Sequence, residues 1–298
     1  MTKIITHSGR VHFDDFFSVC LILHKDKNVD TIIRTDNLTA EEMNDDETWI
    51  VDIGGKYESD KKLFDHHQDD IHNDCAFSLL LKSWNIYEKA IEVYPWIENK
   101  IEWDEKGGGY VLEKYNIKNY EMIYSFKSFP EDSLKEFFQR KKRFLKQNNN
   151  DKFLMSIMRN IGKAFFIGMK KHKKISKHFN ANKKVIYIGK NGVQSEDPDG
   201  IPCIFYLTSK PCYGSQLSNI FYQYKKLNFP NASSWITVYR YDRPENSIYI
   251  KRHGDPNRIN LSTLQDRGKG YYAHKKGFMA VVEDMPSMEL AHYIQSAL

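Results

Sequence analysis

Apolar and polar positions along the chain change period twice. Near the start, the short β-branched runs "KIITH" and "DTIIRT" flank a longer apolar segment, "DDFFSVCLILHK", that opens on two acids. The outer two read as strands, and the middle one as a helix with anions at its N-terminus. "TWIVDIGG" and "KKLFDHH" add two further strands, joined to the second by the polar, partly helical "AEEMNDDE". Strands alternating with helices predict an α/β fold, with an open, mainly parallel sheet flanked by helices.

After residue 72 the period becomes helical. "CAFSLLLKSWNIYEKAI" and "YPWIENKIEWDE" place apolar residues three and four apart, and "KGGGY" breaks the second of these helices. "EDSLKEFFQRKKRFLKQ" and "DKFLMSIMRNIGKAFFIGMKKHKKISKHF" read as long, basic, amphipathic helices. From about residue 183 strands return in "KKVIYIG", "PCIFYLT", "SWITVYRY" and "NSIYIKRH". The pattern predicts an N-terminal α/β domain over 1–130, a basic helical connector over 131–182 and a smaller α+β domain over 183–298. "QNNND" at 147–151 is the most polar interruption, but the basic helices place the functional boundary after it. No internal repeat is visible.

Composition changes this picture little. At 298 residues, two domains are the expected number. With 41% hydrophobic and 14% aromatic residues the chain can build a substantial core, and a net charge of +5 permits an anionic partner without requiring one. Cys20, Cys75, Cys203 and Cys212 are scattered, with no CxxC pair, and Cys20 sits in an apolar run where a buried thiol is the plain reading. No apolar run has the length of a membrane span, and "MTKIITHSG" enters a strand too soon for a leader peptide. A cytoplasmic, reducing location is the expectation.

The candidate chemistry lies at the ends of the first strands. His7, His12 and Asp14 flank the passage from the first strand into its helix, Asp52 ends "TWIVD", and Asp65, His66 and His67 end "KKLF". Asp104 closes a helix just ahead of three glycines. Ligand sites in open α/β sheets form at the carboxyl ends of strands. Singly, each aspartate reads as a turn or cap and each histidine as a surface or core residue. Jointly, ligands at successive strand ends are hard to produce by turn chemistry alone. Asp69, Asp70 and His72 read as polar loop.

"THSGRVHFDD", "VDIGG", "FDHHQ" and "WDEKGG", in this order, resemble the successive motifs of the DHH phosphoesterase superfamily. The "RT" of the second strand and "VDIGGKY…FDHHQ" are most similar to its melanocyte-proliferating-gene exonuclease family. The likeness runs through residues 4–105 and returns in part at "YYAHKKGF". It implies a DHH-type catalytic domain with two divalent cations, manganese expected and magnesium the alternative. One ion would be held by His7, His12 and Asp52, the other by Asp14, Asp52, His66 and Asp104. His67 would then hydrogen-bond or protonate near the scissile phosphate, with Asp65 orienting the histidine pair. Mixed imidazole and carboxylate ligands suit manganese better than magnesium.

Three carboxylates offset about three of the four charges on two such ions, leaving a site that attracts phosphate and favours a hydroxide for in-line attack. The resemblance also implies a substrate-gripping second domain. In "RGKGYYAHKKGF", Gly268, Gly270 and His274 look like its binding loop, with Arg267, Lys269 and Lys275 adding charge. That family's segment usually continues with glycines, whereas this chain reads Phe278, Met279, Ala280. An ordinary basic β-turn is the competing reading.

The expected function is metal-dependent phosphodiester hydrolysis by an exonuclease acting on single-stranded RNA or DNA. A small-molecule phosphodiesterase (cyclic dinucleotide, very short RNA or nucleoside bisphosphate) and a non-catalytic nucleic-acid-binding protein stay open on sequence. So do RNA against DNA, polarity and oligomeric state.

Overall fold

In a computed structural model of the chain, the residues described are 2–68, 73–114, 129–189, 192–194, 196–197, 199–208, 215–241, 246–266 and 269–297. Asp69, Asp70, His72, Cys212, Arg267 and Gly268 therefore lie outside the described residues. The chain divides into two compact units, Met1–Lys170 and Lys171–Leu298.

The first unit is built on a six-stranded sheet in the order β4-β5-β3-β1-β2-β6. Its strands are β1 (Thr2–His7), β2 (Val29–Thr35), β3 (Thr48–Val51), β4 (Tyr57–Glu58), β5 (Leu63–Phe64) and β6 (Arg143–Leu145). The four central strands β5, β3, β1 and β2 run parallel, while β4 and β6 close the edges antiparallel. The expected α/β layer with a mainly parallel sheet is present. Ile4, Ile32, Val51 and Phe64 face one side, against Phe16, Val19, Cys20 and Leu23 of helix α1 (Phe13–Lys25). Ile5, Ile50 and Leu63 face the other, under Leu38 and Met43 beside the short helix α2 (Ala40–Met43). This period-two split explains why strands so short read as continuous apolar runs.

β6 corrects the sequence reading, which makes "EDSLKEFFQRKKRFLKQ" helical throughout. Helix continues only to Gln139, and Arg143–Leu145 pair with Thr31–Ile33 of β2. Phe144 is buried and stacked on Phe138, with ring centroids 5.2 Å apart, so tertiary packing overrides the local helical pattern. The remaining helices of this unit include α3 (Ala76–Ser83), α4 (Tyr87–Val93), α5 (Trp96–Lys114) and α6 (Phe129–Gln139). α5 kinks at Gly107, whose φ is 78°, just after Asp104. Helix α7 (Asn149–Asn182) begins in this unit, and the division of the chain falls within it.

The second unit carries a seven-stranded sheet in the order β12-β13-β11-β10-β9-β7-β8, where only β9 and β10 are parallel. The strands are β7 (Lys184–Gly189), β8 (Gly192–Gln194), β9 (Ile201–Tyr206), β10 (Ser234–Tyr241), β11 (Ser247–Gly254), β12 (Gly270–Ala273) and β13 (Met279–Glu283). Ile201, Cys203 and Phe205 of β9 enter one core, and Ile204 and Tyr206 enter another under helix α8 (Ser215–Asn228). Cys20, Cys75 and Cys203 are buried, and among the described residues none of them forms a disulfide. Among the described residues no helix is long and apolar enough to cross a membrane.

One histidine here gives a pH prediction. His253 of β11 lies opposite Trp235 of β10, their rings stacked 3.9 Å apart. Burial, and then nearby Lys251, push its pKa down from 6.5 to about 4. Between those values the unfolded chain binds the proton and the folded chain does not, so stability falls as pH drops from 6.5 towards 4. The full effect is about 3 kcal/mol. Chemical denaturation of His253→Phe, which keeps a stacked ring, is expected to show a flatter stability profile over that window than the parent.

Candidate metal centre

The residues at the centre come from the carboxyl ends of three adjacent parallel strands, β1, β3 and β5, and from two helices. β1 ends on His7. The chain turns through Gly9 and enters α1 with His12 at its N-cap and Asp14 and Asp15 in its first turn. A helix N-terminus favours those two acids. Both are fully buried.

β3 ends at Val51, and Asp52 follows with φ 57°, a left-handed conformation uncommon for a residue with a side chain. Its amide donates to the Phe64 carbonyl at 2.8 Å, tying it to the end of β5. Residues held in such backbone regions cluster where the surrounding structure fixes a functional side chain. After β5, Asp65, His66 and His67 follow in succession.

These groups converge. His7 Nε2 lies 3.2 Å from an Asp52 oxygen and 3.3 Å from an Asp15 oxygen. His66 Nε2 lies 3.3 Å from Asp104, 3.5 Å from the other Asp52 oxygen and 3.8 Å from Asp14. Three sets of ligand atoms lie close enough to hold a metal ion: His7, His12 and Asp52; Asp52, His66 and His67; and His12, Asp14 and Asp104. Asp52 belongs to the first two and His12 to the first and third.

Electrostatics point the same way. Both oxygens of Asp14 and one of Asp52 are buried without a hydrogen-bond partner among the described residues, as is one oxygen of Asp15. A buried carboxylate without donors costs several kcal/mol as an ion, roughly, unless a cation meets it. Burial, and then the charges of Asp52, Asp104 and Asp15, push the Asp14 carboxyl well up. Burial also raises Asp104, with His66 pulling the other way and Asp52 adding to the rise. For Asp52 burial acts upward too, yet the nearby imidazoles of His66 and His7 outweigh it and bring the carboxyl to about 2. His7, whose Nε2 lies close to Asp15 and then Asp52, is raised to about 10. Imidazoles and carboxylates packed this closely, with orphaned oxygens turned inward, form a donor set that fits divalent cations.

His67 is placed differently. Its side chain is 64% exposed, and its Nδ1 meets Asp65 Oδ1 at 2.7 Å. Asp65 is in turn buried, accepting from the Gly55 amide at 2.6 Å and the His67 amide at 3.1 Å. Held at Nδ1, the ring turns its other nitrogen, Nε2, away from Asp65.

Two residues of the quoted motifs, Asp15 and Arg34, carry no role at the site in the sequence reading. Asp15, next to Asp14, lies with one oxygen 3.3 Å from His7 Nε2. Arg34, at the end of β2 and 3% exposed, donates to the carbonyls of Gly9 at 3.0 Å and Gln139 at 3.1 Å. It thereby fixes the loop between His7 and His12. Arg34→Met is expected to destabilise the fold by about 3 kcal/mol, because both carbonyls lose their donor. It is also expected to weaken metal binding; thermal unfolding with and without manganese reads both effects.

The proposed substrate loop lies in the second unit. Gly270 opens β12, and a Cβ there would come within 2.6 Å of the Leu264 carbonyl, so backbone packing accounts for its lack of a side chain. His274 begins a tight turn: its carbonyl accepts from the Gly277 amide at 2.7 Å, its Nδ1 from the Lys276 amide at 3.1 Å, and its ring rests on Phe278. Lys275 is exposed in that turn. Lys269 is paired with Glu289, so its charge is offset.

Residues 3–83 match the family model MYG1_exonuc, described as an uncharacterised protein family, UPF0160. The match takes in His7, His12, Asp14, Asp52, Asp65, His66 and His67, and stops short of Asp104. No curated protein matches the chain.

Proposed function

We propose that this chain is a two-metal phosphodiester hydrolase, acting as an exonuclease on single-stranded RNA or DNA. The observation that carries the reading is Asp14: fully buried, both oxygens unpartnered among the described residues, and ringed by Asp52, Asp104 and His66. Such a group is tolerable when it faces cations. The name of the matched family model, MYG1_exonuc, supports the same class of activity.

His7, His12 and Asp52 would hold one ion, and Asp14, Asp52, His66 and Asp104 the other, with Asp52 shared. When bound, two divalent ions supply positive charge to the phosphate oxygens and lower the pKa of a nearby water. Manganese suits the mixed nitrogen and oxygen donors.

The chain's own residues supply the rest. Asp65 keeps the His67 proton on Nδ1, which leaves Nε2 free to receive a proton, hydrogen-bond the phosphate and protonate the leaving oxygen. The Ser8 carbonyl meets His7 Nδ1 and orients the ring from behind, leaving Nε2 towards Asp52 and Asp15. Arg34 holds the Gly9 loop so that His7 and His12 meet the site together.

A panel tests the reading: manganese or magnesium against a dinucleotide, a cyclic dinucleotide, and RNA and DNA oligomers. The proposal expects manganese-dependent release of mononucleotides from the oligomers. Equal turnover of a dinucleotide and a long strand would move the substrate to small phosphodiesters, and no turnover of any substrate would overturn the activity.

A further inference from the structure

At the far end of α1 from the metal centre, four cationic side chains and one histidine share one patch. His24 and Lys25 close the helix, Lys27 follows, and Arg159 and Lys163 project from α7. Ten residues separate Asp14 from His24, roughly 15 Å of helix. The two helices are pressed together here, since a Cβ on Gly162 would come within 2.2 Å of the Cys20 carbonyl. That contact sets Arg159 against the end of α1, where its Nε donates to the Leu23 carbonyl at 2.8 Å.

Aromatic rings form the floor of the patch. His24 is stacked on Phe166 at 5.3 Å, and the Lys25 ammonium lies 5.0 Å from the Trp84 ring and 5.7 Å from that of Phe166. Among the described residues no carboxylate pairs with Lys25, Lys27, Arg159 or Lys163. The nearest acid in sequence, Asp26, is engaged by the Trp49 indole and the Asn28 amide. Arg159 Nη2 and His24 Nδ1 are themselves buried, with no partner among the described residues, so the exposed charges of the patch are those of Lys25, Lys27 and Lys163. The cations also act on one another: burial, then Arg159 and Lys163, lower the Lys27 pKa, while burial, then Lys27, Lys163, Lys25 and Arg159, lower that of His24.

A solvated helix face would alternate such charges with acids or spread them apart. A patch of four cations and one acid, none of the cations paired with a carboxylate among the described residues, over aromatic rings, has the chemistry that receives phosphodiester groups. We infer that Lys25, Lys27, Arg159 and Lys163 form a second contact for the backbone of a single-stranded nucleic acid, remote from the metal centre, that retains long strands and is out of reach of short ones. The inference rests on the nucleic-acid reading of the substrate. A dinucleotide has a single internucleotide phosphate, which cannot occupy the metal centre and a patch roughly 15 Å of helix away at once.

The test is Lys27→Ala with Lys163→Ala, both exposed positions on the surface of the fold. Binding of a labelled strand of about twenty nucleotides is measured by anisotropy, in chelator so that the strand stays intact, across a salt series. The double variant is expected to bind about ten-fold more weakly at roughly 0.1 M salt, with the slope of log K against log salt shallower by about 1.4. Manganese-dependent turnover of a dinucleotide should equal the parent's. A parent-like Kd and salt slope would overturn the second contact and leave the hydrolase reading standing. A parent that hydrolyses the dinucleotide yet binds no strand would overturn both the contact and the long-strand substrate. Strand binding unchanged in the variant, together with lost binding of inorganic phosphate, would assign the patch to a free anion instead.

Discussion

Asp52→Ala is expected to lower manganese-dependent hydrolysis by about three orders of magnitude or more, the scale seen when a group that acts as part of a unit is removed. Asp52 meets His7 through one oxygen and His66 through the other, so its loss separates the two halves of the site. Alanine also has to adopt the φ of 57°, at a cost of about 1–2 kcal/mol. Asp52→Asn isolates the chemical role, because asparagine tolerates that conformation and keeps the volume while losing the charge. Both variants should give the parent's circular dichroism spectrum and neither should turn over a labelled oligonucleotide. Full activity in Asp52→Asn would remove the shared carboxylate from the account.

Asp14→Asn is expected to act in opposite directions on stability and on metal response. In chelator, burial and the neighbouring carboxylates all oppose a charge at this position. A neutral amide of the same shape relieves that opposition, and a gain of about 1–3 kcal/mol is expected near pH 7.5. With manganese present the parent should rise in Tm by linkage, whereas the variant should rise far less, because it lacks an anionic ligand. A binding group kept at the expense of stability is the usual trade at a functional site. Thermal unfolding of both proteins in chelator and in manganese measures the two effects. A variant less stable than the parent in chelator, with an unchanged manganese shift, would show that Asp14 is structural.

Much of the N-terminal sheet was legible in the sequence because its strands are short apolar runs that stop on polar residues. "TWIVD" and "KKLFDHH" mark both the strands and the edge where Asp52 and His66 meet. The choice between Asp14 and Asp15 was less legible. Adjacent residues on a helix point about 100° apart, and the packing of Phe13 and Phe16 sets which one faces which histidine. The structure gives both acids a place.

β6 was hidden for a different reason: three residues carry too little pattern, and the strand exists through its pairing with β2. Arg34 was legible only as part of the quoted "RT", and its role was not, since the carbonyls of Gly9 and Gln139 that it binds are distant in sequence. The patch around His24 was invisible for the same reason. Its two halves lie more than a hundred residues apart and meet only because Gly162 lets α7 close on α1.

The central claim is that this edge of the sheet binds two divalent cations through a shared Asp52. Calorimetric titration of manganese into chelator-stripped protein tests it most directly. The account predicts two manganese ions per chain, with the stoichiometry reduced in Asp52→Asn; one ion or none in the parent, or two in the variant, would contradict it.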